Sequence, residues 1–549
     1  MSRQLHDFPG GLHLPGHKAL STGQPIARAP LPKRLLIPLQ QHIGSPAKPL
    51  VAVGDKVLTG QMLARPEGYV SAPVHASSSG TVVAIEEHPV PHPSGLSAPC
   101  FVIETDGEDR WVERECHPDY TNLEPSELRN IIRDAGIVGL GGAGFPAFIK
   151  LNPGARTEID TLILNGAECE PYISCDDMLM REHPDQVILG ARIMRHALHA
   201  RQCLIGIEDN KPEAIAAVRA ALQHLDEKGI EVVVVPTRYP TGGEKQLIRV
   251  LTGKEVPSQG LPIDIGIVCH NVATAASIYR AVELGEPLIS RIVTVTGHAA
   301  ARPQNLHVRI GTPIRDVVKA AGGSTNTPHE LIMGGPMMGF ALESESLPTT
   351  KTANCLLLAT EEDIPPSGAV NPCIRCGECA QVCPALLLPQ QLYWHARAKD
   401  FDKAQDYSLF DCIECGCCAY VCPSNLPLVQ YYRFAKTEIW AQEREKRAAD
   451  KARERHEFRQ FRIEREKAEK AARHKAKAKA VKKDSSAEDK KAAIQAAMER
   501  AKAKREAAEV KPKNTENLTE AQRKQIEEAE ARRAGNTDGP DEAASEDKK

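Results

Sequence analysis

Hydrophobic residues in the first half of the chain fall into short runs separated by amphipathic segments. Three apolar runs have the length and β-branched content of buried strands, namely Thr161–Leu164, Cys203–Ile207 and Glu231–Val235. The segments Ser126–Ala135 and Pro212–Leu225 have helical patterns. Because strands alternate with helices across this region, the pattern predicts an α/β layer fold.

Two further regions carry strand and turn signals without this alternation. Residues 36–105 contain short strand-like runs broken by Gly and Pro, and they resemble half of a biotinyl or lipoyl barrel-sandwich domain. Such carrier domains need a lysine at a hairpin tip, whereas residues 65–69 read Arg-Pro-Glu-Gly-Tyr. We therefore predict a structural module or a docking surface rather than a carrier. Residues 290–345, which include the strand-like run Val293–Gly297, predict a small α+β unit.

The C-terminal part of the chain has a different composition from about Ala441 onward. It is rich in Ala, Lys, Glu and Arg, and it has no aromatic residue after Phe461. Residues 465–480 show no apolar stripe that could seal a core, so we predict a solvated helix or a disordered tail. Residues 535–549 are predicted to be disordered.

The composition and the apolar runs favour a soluble intracellular protein over a secreted or membrane-spanning one. The chain has 549 residues, of which 42% are hydrophobic, so we expect about three or four globular units. The net charge of −3 argues neither for nor against a nucleic-acid partner, and we expect none. The first sixteen residues lack the apolar stretch of a secretory signal, and no run approaches the ~20 apolar residues of a spanning helix. We therefore expect a soluble protein of a reducing compartment, where clustered cysteines serve as metal ligands more often than as disulfides.

Two cysteine runs share the spacing Cys-x2-Cys-x2-Cys-x3-Cys-Pro, and they begin at Cys373 and Cys412. This spacing is typical of proteins with two [4Fe–4S] clusters, in which the fourth cysteine of each run binds the other cluster. The predicted ligands of one cluster are Cys373, Cys376, Cys379 and Cys422. The predicted ligands of the other cluster are Cys412, Cys415, Cys418 and Cys383.

A pair of zinc sites is the alternative for these cysteines. Zinc sites usually combine two Cys-x2-Cys pairs over a longer spacer, without a trailing Cys-Pro, so the spacing favours iron. Cys417 has no place in either ligand set. Most of the remaining cysteines are predicted to be small buried hydrophobic residues.

Residues 139–146 form a glycine-rich segment that contains Gly-x-Gly-x-x-Gly. A dinucleotide-binding fingerprint would follow a strand, whereas a predicted helix precedes this segment, so the Rossmann interpretation fails. The backbone amides of such a loop can still approach a phosphate or a flat ring closely. A tight connecting turn remains the alternative at this point.

Three later segments give the glycine-rich loop a context. Residues 165–171 read Asn-Gly-Ala-Glu-Cys-Glu-Pro, residues 243–244 read Gly-Glu, and residues 270–274 read His-Asn-Val-Ala-Thr. With the loop, in this order over about 135 residues, they resemble the flavin domain of the NADH-oxidising subunit of respiratory complex I and of related hydrogenase and formate-dehydrogenase subunits. Lys245 and His270 depart from the residues of that family.

The resemblance implies a role for each of these residues. The residues that would line FMN are Gly141, Gly142, Ala143 and Gly144. Those that would bind its phosphate or ring are Lys150, Asn165, Asn271 and Thr274. Phe145 would lie near the adenine of NADH, and Glu168, Glu170 and Glu244 would face NADH. For Glu168 and Glu170, a capping role before a turn is the alternative.

The whole order of modules resembles the RnfC (or RsxC) family, a component of the Rnf ion-translocating oxidoreductases of bacteria. The opening Phe-Pro-Gly-Gly-Leu-His at residues 8–13 fits this family, and the resemblance extends over about residues 1–435. We therefore predict a multidomain α/β plus α+β chain. Its predicted parts are a barrel-sandwich domain (1–115), an FMN- and NADH-binding α/β domain (116–288), an SLBB-like α+β unit (289–350), a two-[4Fe–4S] ferredoxin domain (360–434) and a charged tail (435–549).

The family resemblance implies a function. FMN accepts a hydride and releases single electrons, so a chain with FMN and two clusters converts two-electron into one-electron transfer. The chain would be a peripheral NADH-linked subunit on the cytoplasmic side of the inner membrane. Its partners would be NADH, the other subunits of the complex and, indirectly, ferredoxin.

Two other functions remain open from the sequence. One is a soluble NADH-dependent flavo-iron–sulfur dehydrogenase or hydrogenase subunit, which would perform the same chemistry without a membrane. The other is an electron-wire subunit that binds clusters but no flavin. The flavin and iron content of the purified chain distinguishes this last function from the others.

Overall fold

The structure is a computed structural model that describes residues 3–154, 157–366, 368–483 and 487–506, and the single positions 523 and 527. Its compact units are Met1–Glu443 and Arg444–Lys549. The disorder predicted for residues 535–549 lies outside the described residues. Among the helices that are described, none has both the length and the apolar character needed to cross a bilayer.

The N-terminal module is built from two small antiparallel sheets around a shared core. Its strands, after β1 (Ala27–Arg28), are β2 (Arg34–Pro38), β3 (Lys48–Pro49), β4 (Lys56–Val57), β5 (Met62–Arg65), β6 (Val74–His75), β7 (Gly80–Pro89) and β8 (Ser97–Thr105). One sheet has the order β2-β8-β7-β4 and the other has the order β3-β5-β6. Alternate side chains such as Leu35, Ile37, Phe101 and Ile103 are fully buried between them.

The α/β domain contains a four-stranded parallel sheet with the order β11-β10-β9-β12. Its elements are α1 (Pro125–Asp134), α2 (Ala147–Lys150), β9 (Thr161–Gly166), α3 (Cys175–Glu182), α4 (Pro184–Leu198), β10 (Gln202–Glu208), α5 (Pro212–His224), β11 (Ile230–Val235), α6 (Glu244–Thr252), β12 (Ile267–Asn271) and α7 (Val272–Leu284). Leu162 and Leu164 face one core and Ile163 faces the other, which explains the continuous apolar runs in these strands.

The next unit is a mixed six-stranded sheet with the order β1-β14-β13-β17-β15-β16. Its elements are β13 (Ser290–Thr296), β14 (Gln304–Arg309), α8 (Ile314–Ala320), β15 (Glu330–Met333), β16 (Phe340–Ala341) and β17 (Cys355–Ala359). Strand β1 comes from the N-terminal part of the chain and pairs in parallel with β14. The sheet therefore ties the start of the chain to this unit.

The cysteine-rich domain is made of short helices. They are α9 (Glu378–Gln381), α10 (Pro389–Ala398), α11 (Phe401–Asp406) and α12 (Cys417–Tyr420), followed by α13 (Leu428–Lys483) and α14 (Ala487–Glu506). The first turns of α13 belong to the domain core, where Tyr432, Ala435 and Ile439 are buried. The compact part of the chain thus extends beyond residue 434, where the sequence analysis placed the end of the ferredoxin domain. Short 3-10 turns lie at Lys18–Leu20, Tyr120–Asn122, Pro262–Ile265 and Leu409–Asp411.

Candidate functional site

The glycine-rich segment between α1 and α2 is a closed loop. The Gly139 amide donates to the Phe145 carbonyl at 2.8 Å, and the Gly144 amide donates to the Gly139 carbonyl at 3.2 Å. Gly142 has φ +116° and Gly144 has φ +64°, backbone conformations that favour glycine. Residues 141–143 are exposed at the tip, whereas Phe145 is half-buried. Apart from Gly142 itself and its two chain neighbours, no heavy atom of the described residues lies within 4 Å of a Cβ built on Gly142, so the tip borders open space.

Residues from three modules hold this loop in place. The Leu140 amide donates to the buried Thr274 hydroxyl at 3.0 Å, and the Leu140 carbonyl accepts from the Arg291 guanidinium at 3.2 Å. The Ile43 amide of the N-terminal module donates to the Gly144 carbonyl at 3.2 Å. The flavin-loop candidate is therefore fixed by the barrel-sandwich domain and the six-stranded sheet as well as by its own domain.

Asn165 and Asn271 lie side by side at the carboxyl ends of the adjacent parallel strands β9 and β12. The Asn271 side chain caps α7 by accepting from the Ala273 amide at 2.8 Å. The Asn165 amide group donates to the Gly242 carbonyl at 2.8 Å. A Cβ on Gly141 would lie 3.4 Å from the Asn271 Cβ, so the loop reaches this edge of the sheet. Ligands of open α/β sheets usually bind at such an edge.

Lys150 and Glu244 form an ion pair at 2.6 Å, each with its side chain about one third exposed. The Lys150 ammonium also donates to the Cys269 carbonyl at 3.2 Å. The sequence analysis assigned Lys150 to FMN and Glu244 to NADH, and the structure brings the two side chains together. This pair is accessible from solvent.

Glu168 and Glu170 differ from Glu244 in their partners. Both carboxylates accept hydrogen bonds from backbone amides, whereas Glu244 pairs with the Lys150 ammonium. Glu168 accepts from the Asp176 amide at 2.7 Å, at the start of α3, and Glu170 accepts from the Met337 amide at 2.7 Å. Burial raises the pKa of both carboxyl groups. The Glu168 carboxylate thus binds amides in the first turn of α3, a contact that is compatible with the capping alternative.

Lys245 and His270, which depart from the complex I pattern, lie in different environments. Lys245 forms an ion pair at 3.3 Å with Asp411 of the cysteine-rich domain. His270 lies on β12 and is buried, and burial lowers its pKa well below the usual value, so it is neutral at physiological pH. Neither residue therefore adds a free positive charge to the open space at the tip of the glycine-rich loop.

Two lysines that the sequence analysis missed hold the backbone of residues 165–171: Lys211 is fully buried, and Lys18 has 11% of its side chain exposed. Lys18 donates to the carbonyls of Glu168 at 2.8 Å and Glu170 at 3.1 Å. Lys211 donates to the Ala167 carbonyl at 2.6 Å. Burial lowers the pKa of Lys18, and the adjacent Glu168 carboxylate opposes that shift. No periodicity or motif marks either lysine, because their partners lie far away in the sequence.

These residues fit a bound FMN. The exposed tip of the loop offers backbone amides next to open space, and the cap of α7 and the Lys150 ammonium lie at the same edge of the sheet. Gly141, Gly142 and Ala143 would approach the cofactor, with Asn165, Asn271 and Lys150 at the strand ends. Gly144 and Thr274 instead hold the loop from within, because Gly144 is buried against Thr352 and Thr274 binds Leu140.

The eight predicted cluster cysteines line two cavities. The larger cavity, about 510 Å³, is lined by one set of four, namely Cys373, Cys376, Cys379 and Cys422. The smaller cavity, about 20 Å³, is lined by the other set and by Cys417. That other set is Cys383, Cys412, Cys415 and Cys418. Four thiols are the donor set of a [4Fe–4S] cluster, and the fourth cysteine of each run lies with the first three cysteines of the other run, so the donor chemistry fits two such clusters.

The two cysteine runs also repeat in backbone conformation. Gly377 and Gly416 have φ of +87° and +82°, and each immediately precedes a short helix. Arg375 and Glu414, at equivalent positions, have φ of +58° and +59°. Burial raises the pKa of the Cys412 thiol to about 11, and the Lys436 ammonium opposes this shift. A bound cluster would keep such a thiol deprotonated.

The two cavities differ in their position relative to the α/β domain. We call the set Cys383, Cys412, Cys415 and Cys418 the proximal cluster site, because it faces that domain. The Tyr239 hydroxyl donates to the Cys415 carbonyl at 2.6 Å, and the Gln259 amide donates to Asp411 at 3.2 Å. We call the set Cys373, Cys376, Cys379 and Cys422 the distal cluster site. There Cys376 is exposed, and so is its neighbour Ile374.

Comparison with known protein families gives four matches along the chain. The matching models are the RnfC barrel sandwich hybrid domain over residues 6–108, the Nuo51 FMN-binding domain over 132–280, the SLBB domain over 292–341 and the 4Fe-4S dicluster domain over 372–426. They confirm the predicted fold class. They also confirm FMN and [4Fe–4S] clusters as the predicted cofactors, at the level of the domains that bind them.

Comparison with individual proteins gives close relatives that are C subunits of ion-translocating oxidoreductase complexes. The C subunit of Pseudomonas aeruginosa is 54% identical over 468 residues, which cover 85% of this chain and 60% of the relative. The C subunit of Serratia proteamaculans is 50% identical over 501 residues, which cover 91% of this chain and 70% of the relative. The chain thus spans about 60 to 70% of the length of these relatives.

A solved structure of an NAD+-reducing [NiFe]-hydrogenase is a more distant match. It is 20% identical, covers 59% of this chain and 62% of its own, and has a TM-score of 0.43, which is too low to carry an argument about function. The close relatives decide the assignment. With 50% identity to a relative of which it covers 70%, the chain belongs to the family formed by the C subunits of ion-translocating oxidoreductase complexes.

Proposed function

We propose that this chain is a peripheral, NADH-linked electron-transfer subunit of a membrane-bound ion-translocating oxidoreductase complex, on the cytoplasmic side of the inner membrane. When bound, FMN exchanges an electron pair with NADH and releases single electrons, and each [4Fe–4S] cluster carries one electron. Ion movement and the exchange with ferredoxin would belong to the other subunits of the complex.

The observation that carries this proposal is the contact between Tyr239 and Cys415. Tyr239 belongs to the loop that precedes Gly242 and Glu244, and its hydroxyl hydrogen bonds to the backbone of a proximal-site cysteine at 2.6 Å. The candidate flavin domain and the proximal cluster site are therefore in direct contact within one compact unit. This contact supports a sequence of sites in which the proximal site follows the flavin and the distal site, with its exposed Cys376, faces a partner.

Each group of residues has a distinct part in this function. The amides of residues 141–143 would hold the flavin, and the Lys150–Glu244 pair at the open edge is placed to contact its phosphate or the nucleotide. Glu168 and Glu170 keep the segment beside the site folded through their amide contacts. The cysteine sites are separated from bulk water to different degrees, since Cys415 and Cys418 are buried and Cys376 is exposed.

The test is anaerobic reconstitution of the purified full chain with FMN, iron and sulfide. We expect NADH to bleach the flavin and to reduce an artificial one-electron acceptor without any partner subunit. Gly142→Val should lose FMN, because a branched Cβ would occupy the open space at the tip and strain a backbone with φ +116°. The clusters should remain, because they belong to a separate domain.

Gly54→Val is a matched control for this variant. Gly54 also has a positive φ, +96°, and only its own atoms and those of its chain neighbours lie within 4 Å of a Cβ built there, but it belongs to the N-terminal module. It should therefore carry similar backbone strain and retain FMN. The proposal is wrong if flavin-loaded protein shows no NADH-dependent bleaching, and the flavin assignment is wrong if Gly142→Val keeps full FMN occupancy.

A further inference from the structure

The segment Phe8–Leu12, near the start of the chain, lies in the junction between the α/β domain and the proximal cluster site. The Leu12 amide donates to the Tyr239 carbonyl at 2.7 Å, and the Tyr239 amide donates back to the Leu12 carbonyl at 2.8 Å. On the other side, the Gly11 amide donates to the Val382 carbonyl at 2.9 Å. One short segment thus binds the main chain of both modules, next to the cluster cysteine Cys383.

Two consecutive glycines make this close approach feasible. Gly10 has φ +64°, and a Cβ built on it would lie 2.5 Å from the Val382 carbonyl carbon and 2.8 Å from the Cys383 carbonyl carbon. Gly11 has φ +80°, and its Cβ would lie 2.7 Å from the Tyr239 carbonyl oxygen. Real Cβ atoms essentially never approach within 3.0 Å. The atoms that a side chain at Gly10 would meet are backbone atoms, which cannot move out of the way by a change of rotamer. Such a side chain must therefore displace the backbone of Val382–Cys383.

The segment Phe8–Leu12 is itself held on the α/β domain, so it cannot move away from Val382–Cys383 to make room for a side chain. Phe8 is only 3% exposed and packs into the core that contains Val235 and Leu247. The Arg238 guanidinium lies 4.6 Å above the Phe8 ring and hydrogen bonds to the Gly10 carbonyl. It also pairs with Asp7 at 2.7 Å. A displacement at Gly10 would consequently be transmitted to Cys383 rather than absorbed by the segment.

We infer that Phe8–Leu12 is a positioning element that sets the placement of Cys383, and with it the proximal cluster, against the Tyr239 loop of the flavin domain. This inference rests on the proposed function. In the step concerned, one electron would leave the reduced flavin and be taken up by the proximal cluster, and any proton that the flavin loses would go to solvent. Because such a transfer slows steeply with distance, a shift of the Cys383 backbone changes its rate without changing flavin binding. Gly10 and Gly11 are the positioning residues.

The experiment compares Gly10→Val, Gly10→Ala and Gly11→Ala with the parent chain, all full-length and reconstituted anaerobically. Rapid mixing with NADH separates flavin bleaching from the later reduction of the clusters. We expect each variant to keep its FMN and to bleach within about twofold of the parent rate. In Gly10→Val, cluster reduction should slow at least about tenfold, and the EPR signal of the proximal cluster should shift. Gly10→Ala should show a smaller effect in the same direction.

Gly23→Val is the matched control, because Gly23 lies in the same N-terminal stretch and a Cβ built there meets no atom within 4 Å beyond Gly23 and its chain neighbours. It should behave like the parent in every measurement. If Gly10→Val fails to fold, the two alanine variants give the answer. Parent-like cluster reduction and EPR spectra in Gly10→Ala and Gly11→Ala, or in a folded Gly10→Val, would overturn the inference.

The outcome can be separated from that of the proposed function. If NADH fails to bleach the flavin of the parent chain, the proposed function fails, but light-driven reduction of the flavin still supplies electrons for the step under test. The EPR spectrum and potential of the chemically reduced proximal cluster give a further readout that needs no NADH. A shift confined to the proximal cluster in the Gly10 variants supports the inference in either case.

Discussion

The Tyr239 hydroxyl donates a hydrogen bond of 2.6 Å to the carbonyl of Cys415, and the Tyr239 ring is buried between the α/β domain and the proximal cluster site. Tyr239→Phe removes this donor and leaves the carbonyl unpaired, at a cost of about 1–3 kcal/mol. We expect the reduction potential of the proximal cluster to become more negative, because a donor dipole near the cluster stabilises the added electron. Redox titration followed by EPR measures the potential.

Tyr120→Phe is the control for this change. Tyr120 is similarly buried, at 4% exposure, but it packs in the core of the α/β domain away from the cysteines. Its replacement should leave both cluster potentials in place. Equal potentials in the parent and in Tyr239→Phe would contradict the role assigned to this hydrogen bond.

The crossed ligand sets predict which cluster each cysteine serves. Cys383→Ser should damage the proximal cluster, which is otherwise built on the second cysteine run, and should spare the distal one. Cys422→Ser should have the reverse effect. Cys417→Ser should keep about eight irons per chain, because two cubanes need only the other eight cysteines. Iron analysis and EPR distinguish these results, and loss of the distal signal in Cys383→Ser would show that the sets are not crossed.

Most of the fold could be predicted from the sequence in regions where the local pattern of apolar residues matches the burial of those residues in the structure. The strands β9, β10 and β11 were predictable because a parallel strand covered on both faces is apolar at nearly every position. The family resemblance assigned both Asn165 and Asn271 to FMN, and the structure brings them together because the parallel strands β9 and β12 end at one edge of the sheet. The cysteine spacing likewise indicated the crossed sets, because the spacing is itself a geometric requirement of the cluster.

Contacts made across long sequence distances were beyond the sequence analysis. Arg291 reaches the carbonyl of Leu140 from a different module, 151 residues away, and nothing in its neighbours marks it. The orientation of Glu168 was likewise undetermined, because the same motif is compatible with a carboxylate that faces a ligand or one that caps a helix. In the structure its backbone has φ +46° and its carboxylate binds the start of α3.

The boundary of the tail leads to a prediction about truncation. A chain that ends at Glu443 should retain FMN and about eight irons, because the last core residue of the ferredoxin domain is Ile439 and the described side chains beyond residue 450 are almost all exposed. A chain that ends at Pro427 should lose its clusters, because it lacks Tyr432 and the other core residues of α13. Flavin and iron analysis of the two truncated proteins tests this, and cluster loss in the longer one would show that the tail is needed.

Lys351 joins three modules from a fully buried position. Its ammonium donates to the Pro73 carbonyl at 2.9 Å and to the Gly136 carbonyl at 2.7 Å. Burial lowers its pKa from the usual 10.5 to about 7. Between pH 7 and 10.5 the unfolded chain therefore binds more protons at this residue than the folded chain does. The stability contributed by Lys351 thus rises with pH across that window, by at most about 1.4 kcal/mol per pH unit.

Lys351→Met should remove this dependence. The difference in unfolding free energy or melting temperature between the parent and the variant should grow as the pH rises from about 7 to about 9, because only the parent gains stability from Lys351 there. Other groups that titrate in this range, such as the buried thiols, are common to both proteins and cancel in the difference. Lys48→Met, at an exposed strand position, should instead give a constant difference near zero. A parent–variant difference for Lys351→Met that stays constant across the range would show that Lys351 titrates normally in the folded protein.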